Sequence, residues 1–239
     1  MRTDAVGLPW QKTPNAVACN FALGHLIQNV QRSLTVDGRI HAGTYISAVG
    51  AIAGYAAQRT LFAESPPVVG VNINRAGVAS GEQYWFGDTL NYMLVPKSEA
   101  EVNRCVWSMA AGGAVSAGLQ VQQMPKFEWM FEYVASTIGG PNEGKSSVAA
   151  RHQAHLPARD LLKAVWPVAV MCFSGKFPGA NRDYPAAPVI WWSAIAAQAS
   201  NRPIRDVRNV LPPHIALTLL MESAIYCSKL DQLRVEGAK

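Results

Sequence analysis

Phe127-Glu128-Trp129-Met130-Phe131-Glu132-Tyr133-Val134-Ala135-Ser136-Thr137-Ile138 runs directly into Gly139-Gly140-Pro141-Asn142-Glu143-Gly144-Lys145-Ser146. How the first stretch folds decides the class of the whole chain. Phe127, Met130, Phe131, Val134 and Ile138 recur at i, i+3, i+4, i+7 and i+11, which is one face of a helix and not the alternation of a strand. Glu128 and Glu132 fall on the side left for solvent, and Pro125 suits a first helical position. The spacing predicts a helix that ends at the paired glycines.

The second stretch satisfies G-x-x-x-x-G-K-[ST] letter for letter. That loop wraps backbone N–H groups around phosphates, places a Lys on the outer oxygens and a hydroxyl on Mg²⁺. Read so, Gly139, Gly144, Lys145 and Ser146 bind phosphate and the chain is a nucleotide hydrolase. From Pro141-Asn142 through Gly144-Lys145-Ser146-Ser147 the loop resembles that of small GTPases related to ribosome assembly, and the resemblance ends with the loop. The motif needs a buried strand before it and a helix after it. Here a helix precedes it, no apolar run ending in Asp follows to hold Mg²⁺, Asn-Lys-x-Asp is absent, and βα alternation is missing. The nucleotide reading therefore stands as an alternative.

Work outward, and the remaining segments repeat the helical signal. Leu23, Leu26, Ile27, Val30 and Leu34 form a stripe within 15–34, and Asp37-Gly38 makes a turn. The stretch 41–62 is a second helix rich in Gly and Ala. Gly50 and Gly54 share a face there, and since Gly in a helix costs about 1 kcal/mol relative to Ala, close packing against another helix must offset them. Ser98-Glu99-Ala100-Glu101 has the form of a capping box, opening a helix with Val102, Cys105, Val106 and Met109 on one stripe. Leu161 to Cys172, interrupted by Pro167, Val189 to Ala199, and a last helix from Pro212-Pro213 follow. Strand signals are confined to Val68–Asn74 and Glu82–Phe86, expected to pair as a hairpin around Arg75–Gly81. From Asp231 the tail is polar and expected to fray. The whole predicts a mainly α fold: one multi-helix bundle over 1–239, with a small β-hairpin near 68–86.

Composition narrows the partners. Of 239 residues, 49% are hydrophobic and 15% charged, far from the balance of a disordered chain. Such low charge predicts either a large core or apolar surface buried in a homodimer, and the dimer is the expectation. The net charge of +5 is not clustered with aromatics as nucleic-acid binding requires. Arg202, Arg205 and Arg208, three apart, are the concentrated cations and a candidate anion site. No leader is expected from the first residues, and 42–57 is too short and too rich in small residues for a membrane span. Four dispersed cysteines, Cys19, Cys105, Cys172 and Cys227, read as buried thiols of a cytoplasmic protein.

Two further constellations complete the sequence evidence. His152-x-x-His155 places two imidazoles on one helical face, the start of a metal-dependent hydrolase if Glu128, Glu132 or Asp160 supplies a third ligand; otherwise they are loop residues. Adjacent Trp191 and Trp192 point about 100° apart on a helix, so one packs inward while the other meets a second element, a partner or a ligand. The sequence names no cofactor and no reaction. It predicts a self-associating helical protein, with a small-molecule pocket between helices.

Overall fold

The computed structural model describes residues 7–98, 102, 104–177 and 183–237. Its element order is α1 (Ala16–Leu34), α2 (Ala42–Glu64), β1 (Asn74–Gly77), β2 (Gln83–Phe86), α3 (Asp88–Tyr92), α4 (Val106–Ser116), α5 (Phe127–Thr137), α6 (Ala158–Ser174), α7 (Trp192–Asp206), α8 (Pro213–Ser228) and α9 (Gln232–Glu236). The fold is mainly α, as the periodicity predicts.

Its axis is the pair α2 and α8, both buried along most of their length. Small residues make this possible. A Cβ on Gly50 would run into the backbone of Leu220, and one on Gly54 into that of Ala224. The tight contact inferred from the glycines is therefore inside the chain. Around the axis, α1 packs on α6, α7 on both α2 and α4, and α5 on α8. Two helices buried on nearly every side absorb the apolar excess of the composition, so low charge alone no longer argues for a dimer.

Two prolines lie inside helices without ending them. Pro167 in α6 is exposed, so the carbonyl that loses its partner there faces water. Pro203 lies in the last turn of α7.

Three local expectations are corrected. The hairpin pairs Asn74 with Phe86 and Gly77 with Gln83, so its first strand lies where the turn was expected. Its turn is set by Val78 N–H donating to the Glu82 carbonyl at 2.9 Å and by Gly81 at φ +85°. Val68, Val69 and Val71 are exposed, because the Asn72 side chain accepts the Val68 N–H at 2.7 Å and closes a local turn; that side chain outcompetes β propensity. The capping box includes Glu99 and Glu101, outside the described residues, and α4 opens later, at Val106 after Cys105. Pro125 precedes Lys126, the N-cap of α5.

The tail does not fray within the described residues. Asp231 accepts the Leu233 N–H and caps α9. Glu236 receives the Tyr55 hydroxyl at 2.9 Å and pairs with Arg59, both on α2. The carboxylate at the tail's end thus satisfies two polar groups of the buried axis, which a solvated tail would leave unpaired.

Candidate functional site

Helix α5 delivers the glycines to a loop, 139–157, that lies across α8. Glu143 folds back into its own loop. Its Oε2 accepts the Gly139 N–H at 2.7 Å, and its Oε1 accepts the hydroxyls of Tyr84 and Tyr226, each at 2.5 Å. Arg159 and Arg234 lie within 3.9 and 3.7 Å of the same oxygen, and both also reach Glu82. Burial works to raise the Glu143 pKa, but the two tyrosine hydroxyls, the Gly139 amide and Arg234 outweigh it and hold the group below the ordinary carboxylate value. Burial and the same carboxylate push Tyr84 up to about 12.

One helical turn earlier on α8, Glu222 holds the other end of the loop. It is 3% exposed. The Ser147 N–H donates to it at 2.8 Å, the Ser147 hydroxyl at 2.6 Å, and the Ser146 hydroxyl also donates. Burial raises its pKa, against those hydrogen bonds.

Two protein carboxylates thus occupy groups of this loop. Gly139 N–H is spent on Glu143, and the Ser146 hydroxyl is buried against Glu222. Lys145 N–H donates to the Asn142 carbonyl at 3.0 Å and its side chain is exposed. Helix α5 ends at Thr137, one residue ahead of the glycines, so no strand leads into them, and after Ser146 the next α-helix begins only at Ala158. Crevices of about 80 and 10 Å³ lie between loop and α8, room for a few waters. An outer groove of about 370 Å³ does reach Gly139 and Gly140, but its lining carboxylates, Glu82 and Glu143, repel a polyphosphate, and its lining cation, Arg159, is already paired with both. The letters of the motif are met while its geometry is not. Accordingly, MgATP and MgGTP are expected to leave the melting temperature unchanged, and Lys145→Ala to alter stability by less than about 0.5 kcal/mol; a nucleotide-dependent rise in Tm that Lys145→Ala abolishes would restore the hydrolase reading.

The histidines go separate ways. His152 Nε2 accepts from Arg151 Nε at 3.1 Å, while the His155 ring stacks on His41 with centroids 4.0 Å apart. His41 caps α2 by accepting the Thr44 N–H at 3.2 Å, and burial, then His155, lowers its pKa. Glu128 and Glu132 are exposed on α5. Among the described residues no three His, Cys, Asp or Glu side chains converge as a ligand set. The arginines are exposed: Arg202 pairs with Asp206 at 3.4 Å, Arg205 sits in the last turn of α7 where a cation suits the dipole, and Arg208 lies beyond it.

A different place has the size of a ligand site. A pocket of about 410 Å³ opens between the end of α2, α3 and the start of α7, within the range of small-molecule sites. Thr60 builds its floor: its hydroxyl donates to the Val189 carbonyl at 2.8 Å and accepts the Ser193 N–H at 3.0 Å. Tyr92 and Trp191 stand in its walls, and each ring carries a cation, Lys97 at 5.1 Å from the first and Arg104 at 5.6 Å from the second. Trp10, fully buried, supports Trp191 edge-on at 6.3 Å. The Trp191 Nε1–H is shielded from solvent and has no acceptor among the described residues, an unspent buried donor of the kind that marks a missing water or ligand. Trp192 points the other way, stacking on Phe173 at 4.8 Å and donating to the Ala187 carbonyl.

Comparison with protein-family models, with curated proteins and with solved structures finds no match to this chain. Sequence reading reached Trp191 through the tandem tryptophans. It missed Glu143, which sits at a free position of the motif, and Glu222. One signal for Glu222 was available: it is the only Asp, Glu, Lys or Arg of α8, and a lone carboxylate in an apolar helix needs buried donors.

Proposed function

We propose that this protein binds a small organic anion with an aromatic or apolar body, held between α2, α3 and α7. The observation that carries this is the pairing of each wall ring with a cation, Tyr92 with Lys97 and Trp191 with Arg104. The rings supply stacking area, and the guanidinium and ammonium supply charge-assisted hydrogen bonds to a carboxylate, sulfonate or phosphate ester. Thr60, Thr89 and Ser193 also line the pocket and disfavour a purely greasy ligand; the lining carboxylate Glu64 opposes an anion, and the two cations outnumber it.

Calorimetry with isosteric probes tests the charge. 1-Naphthoate is expected to bind at least about tenfold tighter than 1-naphthalenemethanol, a difference of about 1.4 kcal/mol. The Lys97→Gln/Arg104→Gln double variant, whose side chains are exposed, is expected to lose that preference while folding normally. Equal binding of acid and alcohol sinks the proposal, as does a preference that survives the double substitution.

Two properties accompany this reading. The burial of all four cysteines supports residence in a reducing, cytoplasmic compartment. Self-association as a homodimer is part of the same proposal; a single 25.8 kDa species in sedimentation at micromolar concentration rules it out.

A further inference from the structure

Helix α5 carries a partly open edge, on which Trp129 is exposed while the half-buried Tyr133 also packs against the core. Met130 and Val134 are buried, while Trp129, Glu132, Tyr133 and Ser136, at i, i+3, i+4 and i+7, line a groove of about 350 Å³ with Ser147 and Glu222. Trp129 is 73% exposed. A tryptophan left so open, with a second ring one turn along the same face, is a prepared stacking surface.

The charge of this groove is one-sided. Glu132 and Glu222 line it, and no Lys or Arg does. Glu222 is buried and receives only neutral donors, from Ser146 and Ser147. Neither glutamate makes an ion pair among the described residues. In a chain of net charge +5, two carboxylates without a counter-ion beside two π faces form a local field that favours a cation. A weakly hydrated organic cation gains from both features, because the ring quadrupole attracts it and loses little to desolvation.

We infer that the α5 groove, through Trp129, Tyr133, Glu132 and Glu222, binds a small methylated ammonium ion of choline size. The rings contact the N-methyl groups, Glu132 meets the charge from the solvent side, and Glu222 meets it from the floor. The Ser147 hydroxyl and amide keep the Glu222 carboxylate aimed. This site lies on a different helix from the α2–α3–α7 pocket and prefers the opposite charge, so the two stand or fall separately.

Ligand-observed NMR titration with choline and with its neutral carbon isostere, 3,3-dimethyl-1-butanol, tests it. Choline is expected to bind saturably in the millimolar range, and the isostere at least about tenfold more weakly. Trp129→Ala and Glu132→Gln, both at exposed positions, are each expected to weaken choline at least about threefold with an unchanged circular dichroism spectrum. Glu222→Gln also removes a loop contact, so the two exposed variants carry the decision. Equal affinity for choline and the isostere overturns the inference. So does full affinity in both variants, or no saturable choline binding up to about 50 mM.

Discussion

Gly54→Val is expected to destabilise the protein by about 3 kcal/mol or more, measured by urea unfolding. A Cβ at this position collides with the Ala224 carbonyl, and its neighbours are backbone atoms rather than flexible side-chain ends. Relief therefore requires α2 and α8 to move apart, and the apolar contacts along both helices loosen together. Gly50→Val meets Leu220 in the same way one turn earlier. The control lies in α1. Nothing stands within 4 Å of a Cβ on Gly24, so Gly24→Ala, which also gains helix propensity, is expected to stabilise by up to about 1 kcal/mol. Equal effects at Gly24 and Gly54 would show that propensity, not helix contact, governs these positions.

The second large effect is expected at the carboxylates that hold the loop. Glu143→Gln leaves Arg159 and Arg234 with one carboxylate fewer in a half-buried network. A fully buried pair broken this way costs about 3–5 kcal/mol; with Glu143 and Arg234 side chains 13% and 15% exposed, about 2–3 kcal/mol at neutral pH is expected after screening. Glu143 has its folded pKa below the ordinary value. Its contribution is present above the unfolded glutamate pKa and fades as pH falls through the folded one, so wild type and Glu143→Gln converge in acid. Glu222 has the opposite sign. Its folded pKa is raised, so its contribution is full below the unfolded value and lost as pH rises through the folded one. The cost of Glu222→Gln is therefore expected to shrink from pH 4 to pH 8, where that of Glu143→Gln grows. Urea titrations of the three proteins across that range check it; parallel pH profiles for the two variants contradict the assignment.

Much of the fold was legible in the sequence because helices are periodic. The stripe of α1, the small-residue character of α2 and the spacing of α5 each specify a helix locally. The hairpin was legible as an element but misplaced in register. Val68, Val69 and Val71 carry strand propensity, yet Asn72 closes a turn among them, and a short side-chain hydrogen bond is invisible to a propensity reading. The tail misled for the opposite reason. Its polarity reads as solvation, while Arg234 and Glu236 find partners on Glu82, Tyr55 and Arg59, more than a hundred residues earlier in the chain.

The phosphate-loop letters mark the boundary between the two sources of information. By itself the sequence determined that a helix precedes Gly139, that α2 must meet a close neighbour at Gly50 and Gly54, and that no membrane-length apolar helix was to be expected. Only the tertiary structure decided what the loop's donors point at, since Glu143 and Glu222 reach them from the loop's own turn and from α8. It alone joined Thr60, Tyr92, Arg104 and Trp191 around one pocket. The physical reason is range. Backbone periodicity is set within a few residues, whereas a hydrogen bond or a pocket wall forms between groups that only the packing of α2 against α8 brings together.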